Sequence, residues 1–110
     1  MGSVLHFTDG TFDEQVLQGK GTVVVDFYSD WCAPCRLLEP AIEELAAEYG
    51  DDVKVGRLDV SANPATAIRY SVMAIPTVMI FRDGEQADVQ VGLVPKDVLK
   101  AKIDAVARVE

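Results

Sequence analysis

Apolar residues recur along this chain with two different periods, and each change of period marks an element. Residues 4–7 read as a short strand. Thr11-Phe12-Asp13-Glu14 has the form of a capping box, with Phe12 and Val16 one turn apart on the helix it opens. Gly19-Lys20-Gly21 ends that helix. Residues 22–28 are almost continuously apolar and rich in valine, as in a parallel-sheet strand covered on both faces. From about Pro34 to Tyr49, the residues Leu38, Ala41, Ile42, Leu45, Ala46 and Tyr49 recur at helical spacing and form one buried stripe. Glu39, Glu43, Glu44 and Glu48 fall off the stripe and are expected to face water. Pro40 is expected to kink this helix, and Gly50 closes it.

Residues 53–60 form a further buried strand. Asn63-Pro64 starts a short helix that runs to about Tyr70, with Pro64 in the first turn, where its missing N–H is not needed. Residues 77–82 and 87–91 are two strands joined by a tight turn at Asp83-Gly84. Pro95 opens a last helix with Val98, Leu99, Ile103 and Val106 on its apolar face. The order β-α-β-α-β-α-β-β-α implies a parallel core extended by an antiparallel hairpin. The expected class is a three-layer α/β sandwich with a mixed sheet. At 110 residues the chain is expected to form a single domain over 1–110.

The formal net charge of -8 argues against nucleic acid as a partner, because binding there requires a basic surface. It argues equally against docking on an anionic membrane. No apolar run approaches the roughly 20 residues that span a bilayer. Met1-Gly2-Ser3 has neither a basic flank nor an apolar signal core, so the expected location is cytoplasmic.

Chemistry concentrates in Trp31-Cys32-Ala33-Pro34-Cys35-Arg36, which holds the only two cysteines. A pair this close cannot join distant parts of a fold, but it can close a small, reversible disulfide ring. Pro34 suits the first turn of the helix that follows, which puts Cys32 at or next to its N-cap. There the sulfur meets unpaired N–H groups and the positive end of the helix dipole, and both favour the reactive thiolate. Cys35 lies one turn further in and should be more buried. Cys32 should therefore attack and Cys35 resolve. Two other readings are weaker. A structural disulfide closing so short a loop constrains little in the unfolded chain. Zinc wants four ligands, whereas the chain offers these two cysteines and His6, which is remote in sequence.

The stretch from Val25 to Arg36 resembles the active-site strand and helix of the thioredoxin family. Pro40, Arg57-Leu58-Asp59-Val60, Ile75-Pro76-Thr77, the hairpin from Phe81 to Gly84 and Gly92 extend the resemblance over essentially the whole chain. It implies a five-stranded mixed sheet flanked by four helices. It also implies a protein disulfide reductase working through a mixed disulfide, with the redox-active disulfide Cys32–Cys35 and no bound cofactor or metal. Disulfide-containing proteins would be the substrates and a thioredoxin reductase would supply the electrons to a monomer. The alternatives are a thiol oxidant or isomerase, and a non-catalytic binding subunit on the same fold.

Several site residues follow from the resemblance. Asp26 matches the family's buried acid, implied to relay a proton to Cys35 through water. Read from the residues alone, Asp26 is either a paired structural acid or one whose pKa burial raises. Arg57 falls where the family carries a lysine near that acid, and it either modulates Asp26 or is an ordinary surface cation. Pro76 matches a cis-proline that presents the Ile75 backbone to an extended substrate. Trp31, Ala33, Pro34, Ala74, Ile75 and Gly92 are expected to form an apolar substrate-binding patch around Cys32. The departures from the family pattern are Ala33 and Ala74 for glycine, Tyr28 for tryptophan and Arg36 for lysine.

Overall fold

In the computed structural model, which describes residues 2–108, the strands are β1 (Leu5–Phe7), β2 (Thr22–Tyr28), β3 (Val53–Asp59), β4 (Thr77–Arg82) and β5 (Glu85–Val91). The helices are α1 (Ala33–Tyr49), α2 (Pro64–Arg69) and α3 (Lys96–Ala107), preceded by a π-helical turn at Asp13–Leu17. Met1, included in the reading of the N-terminus above, lies outside the described residues.

The valine-rich run occupies the centre of the sheet, whose order is β1-β3-β2-β4-β5. β1 and β2 run parallel to β3, while β4 is antiparallel to both β2 and β5. Residues 22–27 are all buried, as a strand covered on both faces must be. Side chains alternate across β2 and divide the core in two. Val24 packs with Val55, Val78 and Ile80 under Leu38, Ile42 and Leu45 of α1 and Leu99 and Ile103 of α3. Val23, Val25 and Phe27 pack on the opposite face with Phe7, Phe12, Val16, Phe81 and Ala67 of α2. Asp26 shares the face of Val24, which is the face α1 covers.

Three local expectations change. The capping box does not form: Thr11 Oγ1 accepts from the Thr8 backbone N–H at 2.9 Å, and the following turn has no side-chain cap. Thr8 competes successfully because a tight turn brings its carbonyl onto the N–H groups of Thr11 and Phe12. The last strand starts at Glu85, since Asp83 (φ 51°) and Gly84 (φ 85°) complete the turn in two residues. Finally, Glu43, Glu44 and Glu48 face water, but Glu39 is only half-exposed and turns toward Arg57. α1 continues from Ala33 to Tyr49 with Pro40 inside it.

A long-range cap positions α2. Asp9, in the loop after β1, accepts from the backbone N–H groups of Ala65 (3.1 Å) and Thr66 (2.9 Å) and from Thr66 Oγ1 (2.7 Å). Asn63, the residue preceding the helix, uses its own Oδ1 to accept the Asp9 N–H at 2.9 Å. Asp9 is thus bonded through its side chain to Ala65 and Thr66 and through its backbone to Asn63, which holds the first turn of α2 against the β1 loop.

Candidate active site

Cys32 is the N-cap of α1, with extended backbone (φ -92°, ψ 108°) and Pro34 in the first turn. Its Sγ accepts the Cys35 N–H at 3.2 Å, and its carbonyl accepts the Arg36 N–H at 3.2 Å. The sulfur therefore sits among the N–H groups that a helix start leaves without intrahelical partners. Cys32 and Cys35 are joined as a disulfide, with Cα atoms 5.2 Å apart. Cys35 is completely buried and Cys32 is half-buried. An incoming group from solvent reaches Cys32 and not Cys35.

The loop before β4 forms the other wall. Cys32 Sγ lies 3.8 Å from the Ile75 carbonyl oxygen. In the disulfide this is a close approach; in the dithiol the same geometry suits a weak S–H donor. The Ile75–Pro76 peptide is cis. Pro76 is buried, and its carbonyl accepts the Gly92 N–H at 2.8 Å. Thr77 Oγ1 donates to the Ala74 carbonyl at 2.6 Å, so the loop is tied at both ends. These bonds bring Cys32, Ile75, Pro76 and Gly92, which are far apart in sequence, into one neighbourhood.

The residues expected around the disulfide are all accessible. Trp31 is 77% exposed, Ala33, Pro34 and Ala74 are exposed, and Ile75 and Gly92 are half-buried. The apolar surface extends further than expected. Ile75 also lines a cleft of about 290 Å³ with Val60, Ala67, Ile68, Val72 and Met73. Ile68 is 76% exposed and Met73 is 92% exposed. Neither stood out in the sequence, because a large apolar residue near a strand or helix reads as core until its orientation is known. The nearest signal was the run Val72-Met73-Ala74-Ile75, too long an apolar loop to bury whole.

Behind the disulfide, on the α1 side of the sheet, the β2–β3 register sets Asp26 directly beside Arg57. Arg57 Nε is 3.2 Å from Asp26 Oδ2, and its Nη1 is 2.8 Å from Glu39 Oε2. Its guanidinium carbon stacks 3.7 Å from the centre of the Tyr28 ring. Arg57 is thus buried among two carboxylates and an aromatic face, not an ordinary surface cation. Asp26 is completely buried, and its Oδ1 has no hydrogen-bond partner among the described residues. Burial pushes its carboxyl up to about 6; Arg57 opposes the shift, and the Glu39 charge adds to it. Asp26 is therefore paired and also proton-retentive, because one contact with Arg57 does not replace the water it has lost.

Among the described residues no cluster of His, Cys, Asp and Glu is arranged to hold a metal ion, and His6 is exposed on β1. No described helix is long and apolar enough to cross a membrane.

Comparison with known proteins agrees with this geometry. The family model described as Thioredoxin matches residues 3–105. Thioredoxin 1 of Synechococcus elongatus is 44% identical over 97 residues, covering 88% of this chain and 91% of the relative. A thioredoxin of Buchnera aphidicola is 42% identical over 104 residues, covering 94% and 96%. A thioredoxin of Staphylococcus aureus is 42% identical over 102 residues, covering 93% and 96%. Since the likeness spans nearly the full length of each relative and the dithiol pair lies within it, the chain belongs to the thioredoxin family and is a thiol–disulfide oxidoreductase.

Proposed function

We propose that the protein is a general protein disulfide reductase that works through a mixed disulfide and is itself reduced by a separate thioredoxin reductase, as a cytoplasmic monomer formed by one domain. The observation that carries this reading is the unequal exposure of the two cysteines: Cys32 half-buried at the helix N-cap, Cys35 completely buried behind it. In the dithiol, the Cys32 thiolate attacks one sulfur of a substrate disulfide. A Cys32–substrate bond forms, and the other substrate sulfur leaves as thiolate. Cys35 loses its proton and attacks Cys32 Sγ. The second substrate thiolate leaves, and the Cys32–Cys35 bond closes. Two electrons have moved from the dithiol to the substrate.

Asp26 takes the proton from Cys35 in this scheme. Complete burial, an affinity for protons centred near pH 6 and an uncommitted Oδ1 support that role. The substrate segment lies in extended form along Ile75 and Pro76, next to Trp31, Ala33, Pro34, Ala74 and Gly92, and its apolar side chains rest on the surface that continues to Ile68 and Met73. An exposed apolar surface that borders a reactive sulfur favours a docking role over a core role.

Reduction of insulin with dithiothreitol as electron donor tests the reading. Turnover is expected for the wild type and none for Cys32→Ser. Cys35→Ser should accumulate a covalent mixed disulfide with the substrate. A folded wild type without turnover would favour a binding subunit. A reduction potential for the Cys32–Cys35 pair near the values of oxidant proteins, roughly -120 mV, would favour the oxidant.

A further inference from the structure

The chain Asp26–Arg57–Glu39 runs from the core to the surface, and the mechanism above uses only its inner end. An arginine beside a lone carboxylate commonly pairs through two parallel N–H donors. Here only half of the fork is used. Nε reaches Asp26 Oδ2 at 3.2 Å without Nη2, its partner on that edge, while Nη1 on the opposite edge reaches Glu39 Oε2 at the shorter distance of 2.8 Å. Asp26 Oδ1, the oxygen that a second donor would have taken, has no hydrogen-bond partner among the described residues.

We propose that Glu39 is a positioning residue for the exchange reaction: it holds the outer end of the Arg57 guanidinium away from Asp26 and thereby sets how tightly Asp26 keeps its proton. One cation serves two carboxylates, so one negative charge remains uncompensated. The Asp26 side chain has no contact with solvent whereas 43% of the Glu39 side chain does, so the desolvation cost of that charge falls on Asp26. Protons therefore go to Asp26. The other groups around Asp26 do not offset this. β4 faces it with Val78, and the buried residues of α3 on this side, Leu99, Ile103 and Val106, carry no charge. Tyr28 supports the guanidinium from its far side as a flat neutral surface. In the first turn of α1, Cys35 is ionisable only when reduced, and Arg36 is exposed and donates to the Asp30 carbonyl.

Glu39 is half-exposed and belongs to neither apolar cluster of the core, so its substitution leaves the core intact. The inference rests on the proposed proton transfer through Asp26, and the experiment separates the two. The Asp26 carboxyl is titrated by carbon NMR in the oxidised wild type, Glu39→Gln and Glu39→Ala. The pH dependence of insulin reduction is measured in the same proteins and in Asp26→Asn. Freed from the pull of Glu39 on Nη1, the Arg57 guanidinium is expected to turn Nη2 onto Asp26 Oδ1 as a second donor. The Asp26 midpoint should then fall below its wild-type value of about 6 in both Glu39 variants, by more in the alanine, which also loses the acceptor. Each unit of fall is a tenfold weaker hold on the proton. The pH profile of turnover should move down with it. An unmoved or raised Asp26 midpoint overturns the positioning role, the latter because it would mean that Glu39 steers Arg57 toward Asp26. If Asp26→Asn leaves the pH profile unchanged, the proton-transfer reading falls, while the carboxyl titration still decides whether Glu39 governs Asp26. A lowered midpoint with an unchanged profile, in a protein whose Asp26→Asn profile does change, overturns the link to the reaction.

Discussion

Replacing Asp26 by asparagine is expected to stabilise the oxidised fold at neutral pH and to have little effect in acid. Asparagine keeps the shape of the side chain and an oxygen for Arg57 Nε, so the 3.2 Å contact survives without its charge. The Asp26 carboxyl holds its proton up to about 6 when folded, against an ordinary value of 3.8. At 1.36 kcal/mol per unit, that gap makes ionised Asp26 cost the folded chain about 3 kcal/mol. The sign follows from proton binding. Between 3.8 and about 6 the folded chain keeps a proton that the unfolded chain has released. Rising pH therefore favours unfolding across that window and has no further effect through this group above it. Asparagine has no such window. In urea unfolding at a series of pH values from 3.5 to 8, the stability of Asp26→Asn relative to wild type should climb by about 3 kcal/mol, and most of the rise should fall between pH 4 and 6. The change with pH carries the test, because a constant offset from altered packing cancels. A flat difference would refute the reasoning, as would an asparagine variant several kcal/mol less stable at pH 7. Either result would mean that Arg57 fully compensates the buried charge. The same variant should reduce insulin more slowly.

Other perturbations probe the parts that hold the site in place. Asp9→Ala removes three hydrogen bonds from the start of α2 and should cost about 1–2 kcal/mol in urea unfolding. Burial works against ionised Asp9, but the bonds from Thr66 and Ala65 prevail and hold its carboxyl below 3.8. Its contribution should therefore be complete above that value and disappear as pH falls through the lowered one, so the Asp9→Ala deficit should shrink in strong acid. Gly56→Ala places a methyl against the Phe7 ring where β1 pairs with β3, and thermal unfolding should show a loss of about 1–3 kcal/mol. Ile68→Asp and Met73→Glu put charge on the apolar cleft beside Ile75. Each should raise KM for a protein disulfide severalfold while leaving kcat, and turnover with a small aromatic disulfide, near the wild-type value.

Much of the fold was legible in order and type. The run Thr22–Tyr28 read as a strand covered on both faces because it shows no polar alternation except at Asp26, and the sheet order places it at the centre. Helix α1 read within a residue at its start because Pro34 and the dithiol pair mark a helix opening. The turn at Thr11 did not, because choosing between two nearby threonine acceptors depends on how the chain folds back at Thr8. Asp9 gave no sign of its role: its partners lie 56 and 57 residues further on, and a loop aspartate usually meets water.

The sequence by itself determined the pair of sulfurs, their place at a helix start, the inequality between them and the acid inside the central strand, because these depend on spacing and on elements that follow local periodicity. Tertiary structure decided what surrounds them. Strand register put Arg57 against Asp26, and helix packing turned Glu39 inward to share that arginine. The loop before β4 brought the Ile75 carbonyl to 3.8 Å from Cys32 Sγ and left Ile68 and Met73 at the surface beside it. Charge sharing and surface continuity are properties of distances between elements, and no pattern along one element contains them.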